Sequence, residues 1–147
     1  MLTIDEGILR VLSGVSLFAG LDRVHLIWLL SAAERVNVSA EQLFFDEGDP
    51  GDKFFVFIKG STVVEKRVGD GWAKIVDLRS GDTFGEMAII DGAPRSARVR
   101  ALDNSIALCL PQRRLETSPE VAAIIYRNIA RMQAARVREA NEKLFSK

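Results

Sequence analysis

At 147 residues, 48% of them apolar and 27% charged, the chain has the size and composition of one globular domain with a buried core. Its 20 basic and 20 acidic side chains cancel, so no net charge draws it to nucleic acid or to an anionic membrane. A single cysteine, Cys109, excludes an internal disulfide and an iron–sulfur cluster of about four thiolates, and with a single histidine, His25, it makes a zinc site a poor expectation.

The N-terminal zone, residues 1–35, reads as helical. It opens MLTIDEGILRVLSGVSLF, without the basic n-region and long apolar run of a signal peptide. No stretch of the chain approaches the roughly 18 apolar residues of a membrane-spanning helix, so the expectation is a cytoplasmic protein with no membrane partner. Asp22 suits an N-cap, and Val24, Ile27, Trp28 and Ser31 follow helical spacing. The run LIWLL is apolar almost all round, which assigns Trp28 to the core. A Ser-His-Asp triad would have to use His25, which stands in the apolar run VHLIWLL and reads as structural; no enzyme is expected.

From residue 36 to 110 turn signals recur about every ten residues: EGDPGD, KGS, GDG, SGD, DGAP and DN. That rhythm belongs to short antiparallel strands in a sandwich or barrel. In SARVRAL, Ala97, Val99 and Ala101 face one way, and Arg98 and Arg100 face outward into solvent. FFVFI is apolar on both faces, as in a strand covered on both sides. Ile106, Leu108 and Leu110 form another inward row; Cys109 lies opposite, beneath an unidentified cover. Trp72, just after GDG, reads as an exposed hairpin tip.

Residues 118–147 form one long helix. Ser118 suits its N-cap, Pro119 its first position and Glu120 its positive end. An apolar stripe through Val121, Ile125, Ile129 and Met132 thins to Val137, Ala140 and Leu144. The first half is expected to pack over the segment 84–97, and the charged end to project or to meet a second copy of the chain. There is no internal repeat and no low-complexity linker.

The stretch FGEMAIIDGAPRSA, residues 84–97, carries the chemistry. Gly85 lets backbone approach a ligand without a side chain in the way. If Met87 to Ile90 form a helical turn, their free N–H groups point at an anion. Pro94 fixes the chain before Arg95, whose planar guanidinium suits two phosphate oxygens. Ionised Glu86 only accepts hydrogen bonds. A nucleotide with a phosphate and a ribose 2′-OH meets both needs; an ion pair between Glu86 and Arg95 is the alternative.

These residues resemble the phosphate-binding cassette of the cyclic-nucleotide-binding domains found in the catabolite activator protein, the regulatory subunits of cAMP-dependent kinase and cyclic-nucleotide-gated channels. FFDEGDPGDKFFVFIKG (44–60) resembles the family's earlier strand–turn–strand signature, and SLFAGLD (16–22) its lead-in segment. The resemblance implies an α+β, mainly β fold: an antiparallel β-sandwich or jelly roll with N-terminal helices and a long C-terminal helix. It also implies roles for named positions. Gly85, Met87 and Ala88 lie on the ligand, Gly85 and Ala88 through backbone N–H groups, and Glu86 accepts from the ribose 2′-OH. Arg95 pairs with the cyclic phosphate, Ser96 offers its hydroxyl, and Ala97 its N–H. The implied ligand is cAMP, with cGMP possible, and no metal.

Two departures from the family pattern stand out. PQRRLETSPE leaves about one turn too little for the short helix that usually precedes the long one. The roughly 30 residues from Pro119 hold one helix rather than a winged helix-turn-helix. The expected function is a stand-alone sensor that relays occupancy through the C-terminal helix to an effector protein, with a homodimer through that helix as a further partner. The alternative is a catabolite-activator-type regulator without its own DNA-binding domain; no sequence-specific DNA binding is expected. A cupin-like enzyme is disfavoured by the lone histidine.

Overall fold

Two side-chain caps fix the start of the chain's helical layer. In the computed structural model, which describes residues 3–146, Asp5 accepts from the N–H of Ile8 at 2.8 Å and starts α1 (Glu6–Ser13). Asp22 does the same for His25 at 2.8 Å and starts α2 (Arg23–Leu30). A 3₁₀ turn, Ser16–Phe18, lies between them. The face that α2 buries is not the expected one: Leu26, Leu29 and Leu30 point inward, while Val24 is 73% exposed. A helix apolar almost all round carries no phase of its own, so its neighbours choose the face. Trp28 is half-buried, and the guanidinium of Arg114 stacks 4.0 Å above its ring. Met1, Leu2 and Lys147, at the ends of the two helical zones read from the sequence, lie outside the described residues.

Eight strands follow: β1 (Glu34–Val38), β2 (Leu43–Phe45), β3 (Lys53–Lys59), β4 (Thr62–Val68), β5 (Gly71–Asp77), β6 (Thr83–Phe84), β7 (Arg98–Ala101) and β8 (Ser105–Pro111). They form two four-stranded antiparallel sheets, ordered β1-β8-β3-β6 and β2-β7-β4-β5, the jelly-roll sandwich expected. The first sheet is a central layer. Phe54 and Val56 of β3, with Leu108 and Leu110 of β8, pack with the helices. Their alternates Phe55, Phe57, Ala107 and Cys109 pack toward the second sheet. This explains why FFVFI lacks a polar face, and it identifies the cover over Cys109.

Arg98 and Arg100 are not solvated as expected. Both donate through Nε to Glu65 Oε1, at 3.0 and 2.9 Å, and Glu65 is only 8% exposed. The cross-strand register that sets Glu65 opposite Arg98 produces this clamp. Trp72 joins it from the hairpin, with the guanidinium of Arg98 3.5 Å above its ring, so it is half-buried rather than an exposed tip.

The connection after β8 is long enough for a helix after all: α4 (Gln112–Glu116) fills it and buries Leu115. Then Ser118 caps α5 (Pro119–Phe145), with Pro119 in its first turn. Val121, Ile125 and Ile129 are fully buried, and Asn128 Nδ2 donates to the carbonyls of Leu17 and Ala19 at 2.8 Å each. The first half of α5 is therefore fixed to the helical layer. No helix among the described residues is long and apolar enough to cross a membrane.

Candidate functional site

The turn after β6 depends on a glycine. Gly85 has φ +75°, and a Cβ there would lie 2.8 Å from Arg95 Nη1 and 3.1 Å from Phe55. Glu86 then stands at the N-cap position of a short helix, α3 (Met87–Asp91), which ends on left-handed Gly92 at φ +69°. Pro94 leads back into the sandwich. There Arg95 N donates to Asp49 O and Gly48 N donates to Arg95 O, each at 2.8 Å. The 46–52 turn thereby holds the segment in place. Gly51 belongs to that turn, and a Cβ on it would lie 2.7 Å from Arg95 Nε. The sequence assigned it only a turn.

Arg95 is 7% exposed. Its Nη1 donates to Gly85 O at 2.6 Å and its Nη2 to Lys53 O at 2.9 Å, while Nε, also buried, has no partner. The guanidinium lies 4.1 Å above the Phe45 ring. Burial pushes its pKa below the ordinary arginine value, against the opposing pull of carboxylates that include Asp52, Asp49 and Glu86. No carboxylate among the described residues reaches it within ion-pair distance. A buried cation held by carbonyl dipoles and an aromatic face lacks a counter-charge.

Glu86 is 2% exposed and does not pair with Arg95. Its Oε1 instead accepts from Gln133 Nε2 at 2.6 Å and from Arg136 Nη1 at 2.9 Å, both on the second half of α5. This corrects the expected placement of that helix: the far half, not the first half, reaches Glu86. The first half buries Val121, Ile125 and Ile129 in the core cluster that also holds Ile89.

Gly85, Glu86, Met87, Ala88, Arg95, Ser96 and Ala97 all line one cavity of about 600 Å³, within the range typical of small-molecule sites. Ala88 and Ala97 are buried; Met87 and Ser96 are exposed at its rim, and the Ser96 carbonyl accepts from Lys66 Nζ at 2.7 Å. Val64, Val76, Leu78 and Val99 give the cavity an apolar wall, and Arg136, Glu139, Ala140 and Lys143 line it from α5. Sequence reading missed these residues. The wall residues look like any strand residues, and the α5 face becomes visible only once the helix is docked. Gln112 Nε2 on α4 donates to Ile89 O on α3 at 3.0 Å.

Residues 35–117 match the family model of the cyclic nucleotide-binding domain. Over 95 residues the chain is 33% identical to a cAMP-dependent protein kinase regulatory subunit of Dictyostelium discoideum, an overlap covering 62% of this chain and 29% of the relative. Over 125 residues it is 32% identical to an NTE family protein of Mycobacterium tuberculosis, covering 82% of this chain and 21% of the relative. The chain thus spans well under half the length of both. The crystal structure of the Thermus thermophilus catabolite activator protein superposes with a TM-score of 0.78 at 26% identity, over 88% of this chain and 61% of that one. A cyclic nucleotide-binding domain from Methylobacillus flagellatus does so with a TM-score of 0.80 at 26% identity, over 94% and 80%.

Proposed function

The chain belongs to the cyclic nucleotide-binding domain family, and from that premise we propose that it is a sensor that binds cAMP, and cGMP more weakly, in the cavity beside Arg95. Fold and family are those of regulatory rather than catalytic domains. The observation that carries the proposal is the buried guanidinium of Arg95, which has five N–H donors, spends two on carbonyls and meets no anion. A cyclic phosphate supplies the charge. The N–H groups of Gly85, Ala88 and Ala97 close around the phosphate and ribose, and the apolar wall of Val64, Val76, Leu78 and Val99 takes the base.

Glu86 is the acceptor for the ribose 2′-OH. Its Oε1 is taken by Gln133 and Arg136, which leaves Oε2 for the ligand, so ribose and α5 share one carboxylate. Binding at Glu86 then biases the position of the far half of α5 by the ligand's differential affinity for the available positions. The Gln112–Ile89 contact gives a second route from α3 through α4 to the same helix. The output is contact between α5 and an effector protein or a second copy of the chain. Ser96 keeps a hydroxyl beside the ligand without the extra methyl of threonine, which fits a modest preference for cAMP.

Calorimetric titration of the purified protein with cAMP and cGMP tests the reading. Binding of both, tighter for cAMP, is expected. Absence of binding by either nucleotide overturns the site, and tighter binding of cGMP overturns the preference.

A further inference from the structure

We propose that Lys66 is a positioning residue for phosphate binding, its ammonium bridging the 46–52 turn to the Ser96 carbonyl and so fixing residues 95–97 against the bound nucleotide. That role rests on the reading of the cavity as a nucleotide site. Lys66 Nζ donates to Ser96 O at 2.7 Å and to Glu47 Oε1 at 3.2 Å. One cation thus joins β4, the turn at Glu47 and the C-terminal end of the segment 84–97. Along β4 the register against β7 is unbroken, pairing Val64 with Val99 and Glu65 with Arg98. Val64 lines the cavity, so Lys66, two residues on, leaves the same face of the strand, beside the peptide that links Ser96 to Ala97.

A trans peptide sets its C=O and its N–H on opposite edges of one plane. Holding Ser96 O therefore fixes the direction of the Ala97 N–H, one of the donors assigned to the nucleotide. Arg95, on the other side of Ser96, is already held, its N–H by Asp49 O and its C=O by Gly48 N. Those two bonds fix the backbone before Ser96, and Lys66 fixes it after. Glu47 keeps the ammonium in place. Its carboxyl lies below the ordinary value chiefly because Lys66 donates to it, and it also accepts from the Arg67 N–H at 3.4 Å. The Lys66 side chain is 54% exposed and that of Glu47 26%, so removing the lysine leaves neither a core cavity nor a fully buried lone charge. Its effect should therefore fall on the ligand rather than on the fold.

The test is titration with cAMP of wild type, Lys66→Met, Lys66→Arg, Glu47→Gln and the double variant Lys66→Met with Glu47→Gln. Thermal unfolding of each ligand-free protein and phosphorus NMR of bound cAMP accompany it. Lys66→Met should weaken cAMP roughly two- to tenfold. It should also move the bound phosphorus resonance, with little change in unfolding temperature. Lys66→Arg should stay within about twofold of wild type, because a cationic donor remains. Glu47→Gln should lose part of the affinity, and the double variant no more than Lys66→Met alone, because the two side chains act as one bridge. Unchanged affinity in Lys66→Met overturns the proposal. Equal loss in Lys66→Arg also overturns it, as does a loss that leaves the phosphorus resonance where wild type has it. Additive losses in the double variant overturn the bridge. If wild type does not bind cAMP, the site reading falls and this proposal with it; if wild type binds and Lys66→Met matches it, Lys66 alone is removed.

Discussion

Arg136 Nη1 lies 2.9 Å from Glu86 Oε1, and that contact ties the far half of the last helix to a carboxylate that is 2% exposed. The guanidinium itself is half in solvent, so the pair is screened on one side only. Arg136→Ala leaves Gln133 as the remaining donor to Oε1. We expect a stability loss of about 0.5–1 kcal/mol in denaturant titration, with faster hydrogen exchange confined to residues 134–145. Uniform acceleration along α5 would show that the contact holds the whole helix instead.

Arg95→Ala removes the counter-charge proposed for the phosphate. A hydrogen bond to a charged group contributes about 1.5–3 kcal/mol, so affinity for cAMP should fall roughly ten- to a hundredfold. Stability of the ligand-free protein should fall less, because the lost side chain was a buried cation with an unpartnered Nε. A folded variant that binds as well as wild type would falsify the phosphate assignment.

Glu86→Gln keeps the shape and removes the charge. In the proposed site the amide oxygen still accepts from the ribose hydroxyl, so the expected loss of affinity is smaller than that of Arg95→Ala. The same change weakens the grip of Arg136, and the far half of α5 should exchange faster with or without ligand. If affinity falls as much as in Arg95→Ala, Glu86 makes more than one charged contact with the ligand.

The clamp on the second sheet predicts an acid dependence. The guanidiniums of Arg100 and Arg98 hold the Glu65 carboxyl below its ordinary value of 4.5, against the upward push of burial. A carboxylate with a depressed folded pKa contributes stability that is fully present above about 4.5 and lost as pH falls through the folded value. Urea midpoints of wild type should therefore drop more steeply below pH 4.5 than those of Glu65→Gln. At neutral pH Glu65→Gln should be the less stable protein, because two arginines lose their charged partner. Parallel curves over that range would assign the acid loss to other carboxylates.

The recognisable part of the site is local in sequence. Gly85, Glu86, Pro94 and Arg95 lie within one short stretch, and each requirement (a positive φ, an acceptor, a rigid bend, a fork of donors) is written in a residue type. Sandwich strands were readable for the same reason, since SARVRAL alternates and FFVFI is a short apolar run between turn signals. What the sequence did not disclose depends on distant partners. Gln133 and Arg136 reach Glu86 from 47 and 50 residues away. Arg98 and Arg100 look like solvated alternates until the register sets Glu65 between them. The face of α2 could not be read because LIWLL is apolar on every side. PQRRLETSPE reads as about one turn too short for a further helix, but five residues suffice when Leu115 can be buried and Gln112 can bond the neighbouring α3.

The last helix also bears on assembly. Val121, Ile125 and Ile129 are buried in the protein's own core, and Met132 packs against it, so a partner cannot use that stripe. What remains for a partner is the far half, where Val137 is 58% exposed, Leu144 74% and Phe145 82%. Val137 and Leu144 are seven residues apart, the spacing at which one helix meets another along a shared seam. The same half presents Gln133 and Arg136 to Glu86, so pairing and site occupancy compete for, or jointly fix, one segment. We expect a dimer in sedimentation equilibrium that Val137→Glu with Leu144→Glu converts to a folded monomer. Because neither substitution touches the cavity wall, the monomer should still bind cAMP, with an affinity shifted by whatever the dimer contributed to holding α5 in place. A wild-type protein that sediments as a monomer at every concentration, with and without cAMP, would leave α5 as a cover for the site and its effector as a different protein.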